Sequence, residues 1–352
     1  MNIDKRKLDI LNAIIQNYIL KGEPIGSRTL SKSSDLGVSS ATIRNEMSDL
    51  EDLGFLEKTH TSSGRVPSDK GYRYYVDNLI RINSTEMIDR ELMKKQMVSE
   101  MRELDHVIKT GTKILSQFTQ YTSIAMTPEL AMNKLKHIQL VPVDNSKILV
   151  VLVTNTGLIK NAYFRVDKEI PVEHLNIITN FLNDKFTGHY IGEMDESFSE
   201  NALRDLLEVK DTFKDIAPLV TRSIDRLSEI NIVSEGITNI FNYPEYEDIG
   251  KAKEIIDFIG SKDKVIELLN SKEIITSSDS SSSVNIIIGS ENNCNQLKDC
   301  SLITATYSLN GKEVGKIGVV GPKRMRYSNV IQVIQALVMD INDILDKFYK
   351  NK

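Results

Sequence analysis

The sequence predicts an α+β protein that opens on a winged helix-turn-helix unit. Three observations carry that expectation. Apolar residues recur at helical spacing in three short segments before residue 53, the mark of amphipathic helices. A strand-like stretch and a turn-rich loop follow at once. Beyond residue 135, β-branched runs alternate with helical segments, as in mixed strand and helix layers.

In the first helix Leu8, Leu11, Ile15 and Tyr18 set the apolar face, Ile14 and Ile19 widen it, and "KGEP" at 21–24 stops it. Ser27 caps a short second helix carrying Leu30. "DLGV" at 35–38 is turn chemistry. Ser39 caps a third helix on which Ile43, Met47 and Leu50 fall at i, i+4 and i+7, and Gly54 ends it. "FLEKTH" at 55–60 reads as the outgoing strand of a hairpin, Thr61 to Gly64 as its tip, and Val66-Pro67 as a stiffened return. Tyr72, Tyr74 and Tyr75 are expected to pack beneath it. Helix, helix, helix, hairpin is the order of a winged DNA reader.

The rest of the chain is read more coarsely. Met97, Met101, Leu104, Ile108, Gly111, Leu115 and Phe118 form a heptad stripe. "KHIQLVPV" and "KILVVLVT" flank "DNS", a hairpin signal, "LIKNAYFRV" is a third strand, and 172–184 a helix. Helical segments occupy 199–229 with an interruption at Pro218, and "INIVSEGITNIF" is strand-like, bounded by Pro244. "TSSDSSSS" at 276–283 reads as a flexible connection. "VNIIIG", "LITATYSL" and "KIGVVG" are strands before a long helix with Val330, Ile334, Leu337, Ile341, Ile344 and Phe348 in heptad steps. Strands before 195 and after 283 could share one sheet, which would make the middle an insertion. The two heptad stripes are expected to pack mainly within the chain, with some contact to a partner subunit.

Composition sets outer limits. The chain has 352 residues, 40% hydrophobic and 26% charged, with net charge −5. That length fits two or three domains, and no global positive field advertises nucleic acid, so charge must be read locally. Cys294 and Cys300 lack the paired spacing of a zinc site, and we read them as unpaired thiols, with redox sensing the lesser alternative. The apolar runs are strand-length, so no membrane anchor is expected and a reducing cytoplasm is the expected home.

Local charge points to duplex DNA. On the third helix Ala41, Arg44, Asn45 and Ser48 point away from the apolar face. Arg forks onto guanine and Asn onto adenine at major-groove edges. Ser39, Ser40 and Thr42 stand in the first turn, where backbone N–H groups and short hydroxyls suit phosphate oxygens. Residues 27–45, with Arg28, Lys32 and Arg44 against Asp35, carry net +2. Residues 46–57 hold only acids and carry −5, and 58–74, with Lys58, Arg65, Lys70 and Arg73 against Asp69, carry +3. A helix entering a groove by its amino end would have this polarity. Thr61, Ser62, Ser63 and Arg65 are read as a wing tip that touches DNA, and His60 as a backbone-contacting or structural residue.

Enzyme templates are absent. Gly315, Gly318 and Gly321 are spaced G-x-x-G-x-x-G, which is neither the dinucleotide fingerprint nor a P-loop. They read as a strand end and tight turn, with an anion or small-ligand site at Lys323, Arg324 and Arg326 as the alternative. No catalytic residue, cofactor or metal is expected.

Long runs then resemble one family. "SSATIRNEMSDLEDLGFLEKTHTSSGRVPSDKGYRYYVD" (39–77), "IGSEN" (288–292), "CSLITATY" (300–307) and "GKIGVVGPKRMRY" (315–327) resemble the HrcA family of bacterial heat-inducible transcription repressors. The resemblance implies a winged-helix domain over 1–80 and a GAF-like domain in two parts, 81–194 with a linker helix and 276–352. It implies an inserted dimerising domain over 195–275. It further implies a homodimer that binds an inverted-repeat operator, CIRCE, represses groE- and dnaK-type operons, is supported by the chaperonin GroEL, and is released on heat stress. The rival reading is a DNA-binding regulator gated by a small molecule in the GAF-like part.

Overall fold

The computed structural model describes residues 4–33, 36–58, 64–79, 93, 104–127, 130, 133–155, 157–192, 194, 209–270, 284–309 and 311–350. Its first unit is a helical head. Helices α1 (Lys5–Lys21), α2 (Ser27–Ser33) and α3 (Ser40–Asp52) precede a two-stranded hairpin, β1 (Leu56–Lys58) and β2 (Arg65–Pro67). Asp4 caps α1 by accepting from the Lys7 N–H, and Ser39 caps α3 by accepting from the Thr42 N–H. Ile10, Leu11, Ile14, Ile43 and Leu50 are fully buried, so the predicted apolar faces close on one another. Ile25 bridges to Arg65 through both backbone hydrogen bonds, which ties the turn after α1 to the hairpin.

The chain then departs from expectation. Residues 69–79 form a helix, α4 (Asp69–Leu79), in place of more hairpin. Tyrosines favour strands, and that preference misleads here. Ser68 overrides it: its hydroxyl accepts from the Gly71 N–H and donates to the Gly54 carbonyl. Gly71 is required by crowding, because a Cβ there would lie 2.3 Å from the Phe55 carbonyl oxygen.

The core is a five-stranded antiparallel sheet. Its strands are β3 (Thr122–Met126), β7 (Ile232–Glu235), β8 (Val284–Ile288), β9 (Cys300–Leu309) and β10 (Lys312–Pro322), in the order β7-β3-β10-β9-β8. One face carries α5 (Leu104–Thr119) and α10 (Tyr327–Lys350). The two heptad stripes meet each other within the chain there: a Cβ on Gly111 would lie 3.2 Å from Ile341 Cδ1, so the glycine lets the helices close up. Met97 and Met101 lie outside the described residues. The other face carries α8 (Ile249–Gly260) and α9 (Lys262–Leu269), whose Ile255, Phe258 and Val265 pack with Ile287 and Leu302.

A second sheet, β4 (Leu135–Asp144), β5 (Lys147–Thr154) and β6 (Ile159–Arg165), is antiparallel in that order and bears α6 (Val172–Phe186) and α7 (Lys210–Ser228) on one face. Helix α7 continues past Pro218, and Phe213, Ile216, Val220 and Ile224 bury its apolar side. This layer falls between β3 and β7, neighbours in the core sheet. The resemblance implies an insertion over 195–275; in the structure the chain leaves the core sheet after β3 and rejoins it at β7. Residues 232–270 return to the core. Strand β3 escaped the sequence reading because all five of its residues are buried, which erases the alternation that marks a strand.

Candidate nucleic-acid interface

The site is built on α3. Its buried line, Ile43, Met47 and Leu50, turns the remaining residues outward. Ala41, Arg44, Asn45 and Ser48 are exposed, with Ser39 exposed and Ser40 and Thr42 half-buried in the first turn. The Ser39 and Thr42 hydroxyls lie 3.0 Å apart. Arg28 on α2 is exposed as well. Among the described residues, neither Arg28 nor Arg44 is paired with a carboxylate. An arginine held in water with its donors unspent is what a phosphate or base edge requires.

The acidic rear of α3 is neutralised from inside the head. Lys7 lies 3.1 Å from both Glu46 and Asp49, and these carboxylates push its ammonium's titration upward, Asp49 foremost. Glu51 takes Lys58 at 3.0 Å and the Arg65 Nε at 2.8 Å. Lys58 first and Arg65 next hold its carboxyl below the usual range, against some desolvation.

Three cations expected at DNA have partners within the chain. Arg65 is the first residue of β2, its side chain only 15% exposed against Glu51. Lys70 donates to the Leu53 carbonyl at 2.7 Å and lies 4.5 Å from the Phe55 ring centre. It thereby caps the carboxyl end of α3, where a helix dipole favours a cation. Arg73 leaves the head surface altogether. It pairs with Glu291, donates to the Ile286 carbonyl, and lies 3.5 Å from Asp77. The reason is chain direction: α4 carries Arg73 toward the core sheet. Lys58 remains 63% exposed although paired. His60, Thr61, Ser62 and Ser63 lie outside the described residues.

The anion site read at "GPKRMRY" is occupied by the chain's own carboxylates. Lys323 lies 2.8 Å from Asp69, and Arg324 pairs with Glu245 while donating to the Ile19 carbonyl at 3.3 Å. Burial opposes the Asp69 charge most, yet Lys323 and the Ser290 amide together bring its carboxyl below the usual range. Gly315, Gly318 and Gly321 lie inside β10, where Cβ atoms would strike Tyr307, Thr304 and Tyr121. They serve close packing. Sequence reading missed Asp69, Glu245 and Glu291 as partners; Glu291 stands 218 residues from Arg73, and no local pattern reports such a pairing. The Ser68 cap was legible from Ser-Asp at 68–69.

Among the described residues no cluster of His, Cys, Asp or Glu could hold a metal ion, and no helix is long and apolar enough to cross a membrane.

Known proteins agree with one another about this chain. A family model described as the HrcA protein C terminal domain matches residues 105–331. The heat-inducible transcription repressor HrcA of Clostridium tetani (strain Massachusetts / E88) is 42% identical over 353 residues, covering 100% of this chain and 97% of its own. The repressor of the same name from Alkaliphilus metalliredigens (strain QYMF) is 39% identical over 350 residues, covering 99% and 100%. A crystal structure described as that of a hypothetical protein superposes with a TM-score of 0.70 at 18% identity, covering 98% of this chain and 99% of that one, a likeness of fold alone. Identity of this order along essentially the whole length, together with the family model, leaves no competing assignment: the chain belongs to the HrcA family of heat-inducible transcription repressors.

Proposed function

We propose that the head is a winged helix-turn-helix that lays α3 in the major groove of an inverted-repeat operator of the CIRCE type. The protein represses chaperone operons there as a cytoplasmic homodimer. The observation that carries this reading is the outward, unpaired set Arg28, Arg44, Asn45 and Ser48 beside the amino end of α3. Arg44 and Asn45 read bases; Ser39, Ser40, Thr42 and Arg28 hold phosphates. Lys58 adds a phosphate contact. Arg65, Lys70 and Arg73 are withdrawn from the contact set, because their charges are spent on Glu51, the α3 terminus and Glu291. The wing residues His60, Thr61, Ser62 and Ser63 keep the role that the sequence suggests for them. Footprinting on the organism's own chaperone promoters tests the reading; protection of no inverted repeat would refute it.

The dimer is assigned to the bare face of the second sheet. Helices α6 and α7 cover one side of β4-β5-β6. On the other side Val141, Val143, Ile159 and Tyr163 are exposed and flank half-buried Leu149, Val151 and Val153. Register aligns Val141, Leu149 and Tyr163 in one row and Val153 with Ile159 in another. Apolar rows facing water on this scale belong to interfaces. A second copy is the occupant that an inverted repeat demands, by symmetry. Val151→Glu is expected to give a monomer in sedimentation; an unchanged dimer would move the interface elsewhere. The GAF-like character of the core and support of the active form by GroEL remain part of the proposal through family membership.

A further inference from the structure

Arg73 of the head, with Lys323 and Arg324 of "GPKRMRY", meets its partners along one seam between head and core. We propose that this seam is an ionic latch that holds the DNA-reading head at one angle to the core, so that Asp69, Arg73, Lys323 and Arg324 are positioning residues for operator binding. The inference rests on the repressor reading above.

The geometry is that of a three-point mount. Arg324, braced by Glu245, takes the Ile19 carbonyl near the end of α1. Lys323 takes Asp69 at the start of α4, and Asp69 also accepts from the Ser290 N–H at 2.8 Å. Arg73, one turn further along α4, takes Glu291 and the Ile286 carbonyl. Two points would leave a hinge; three fix an orientation. The Tyr72 ring, buried, lies 6.0 Å from that of Tyr327 and fills the space between the ties.

The Arg73 tie also closes the sheet. Among the described residues β8 is the last strand in its order, and its outer backbone groups face no further strand. Arg73 donates to the Ile286 carbonyl, and the Ile288 N–H donates to Glu291 at 2.8 Å. One ion pair thereby occupies the two groups that one residue of a sixth strand would take, and an open edge is blunted. Opening the latch strands half-buried charges and reopens that edge, which makes the docked state definite.

Orientation matters because a dimer reads two half-sites. The gain from the second half-site depends on geometry and vanishes when the heads cannot engage together. The test uses the full chain as wild type, with Arg73→Gln and Lys323→Ala singly and combined, and with Glu291→Gln as a second route to the same break. The DNA probes are an inverted-repeat duplex selected in vitro with the wild-type protein and the same duplex with one arm scrambled.

The combined variant is expected to lose about tenfold or more on the inverted repeat and to hold within about twofold on the one-armed duplex. Its calorimetric melt should split in two, with faster hydrogen exchange at the Ile288 and Ser290 amides. Unchanged or tighter binding to the inverted repeat overturns the latch as a positioning device. If the wild type selects no duplex, the repressor reading is what fails. Calorimetry and exchange then still decide the latch, since one transition with unaltered exchange in the combined variant removes it.

Discussion

Helices α3 and α4 belong to the same head, and in the sequence both are flanked by cations. They use them in opposite ways. Arg44 on α3 stands in water unpaired. Arg73 on α4 is 17% exposed and held by a carboxylate from the far end of the chain. Segment charge therefore does not separate a contact cation from a structural one. What separates them is whether the fold brings an acid within reach. On α3 three of the acids at the rear, Glu46, Asp49 and Glu51, are engaged by Lys7, Lys58 and Arg65, which leaves its front positive.

The contrast can be broken experimentally, and the largest effect should come from packing. Met47 is buried beside exposed Ser48. Met47→Ala is expected to cost about 2–5 kcal/mol of head stability, whereas Ser48→Ala should stay within about 0.5 kcal/mol; thermal melting checks both. Next, Arg44→Ala should remove about 1–3 kcal/mol of base discrimination, read by anisotropy on operator against scrambled duplex. Equal losses on both would return Arg44 to the phosphates.

Smaller effects sharpen the boundary. Arg65→Ala should leave the salt dependence of binding unchanged, since it displaces no counterion, and should show about 1 kcal/mol of coupling to Glu51→Ala in a stability cycle. A salt slope reduced by about 1 would restore Arg65 to DNA. Lys70→Met should cost only about 0.3–1 kcal/mol, the scale of a cation at a helix carboxyl end. Acid should act last. The folded Asp69 carboxyl titrates below its ordinary value, so its contribution is complete above about pH 4 and fades as pH falls through the lower folded value. Hydrogen exchange at Ser290 should therefore show no Asp69-dependent change between about pH 5 and 8; a Ser290 amide that loosens there in wild type but not in Asp69→Asn would contradict the assignment.

Much of the head was legible because its signals are local. The cap at Ser39, the faces of α1 and α3, and the outward set of α3 follow from spacing within a dozen residues. The hairpin β4-β5 and helix α6 were legible for the same reason. The layout of the core was not. Strand β3 pairs with β10 and β7, and nothing in "TSIAM" announces partners that distant. The partners of the cations at 65–73 were not legible because they are tertiary: Glu51 across the hairpin, the end of α3, and Glu291 beyond the second sheet. Local physics writes a surface helix; only topology decides which cations stay on the surface.

The pairing of β3 with β10 sets the order in which this molecule can be made. Ile124 must wait for Gly318 to leave the ribosome before its strand has a neighbour on that side. Until then a strand of five buried residues and the apolar flank of α5 lack the cover of β10 and α10. Such late, distant closure is slow and leaves sticky surface open to aggregation. The contacts inside the head are local and have no such delay, whereas its ties to the core wait for residues 286–327. Newly made copies thus carry a folded head before the core sheet can close.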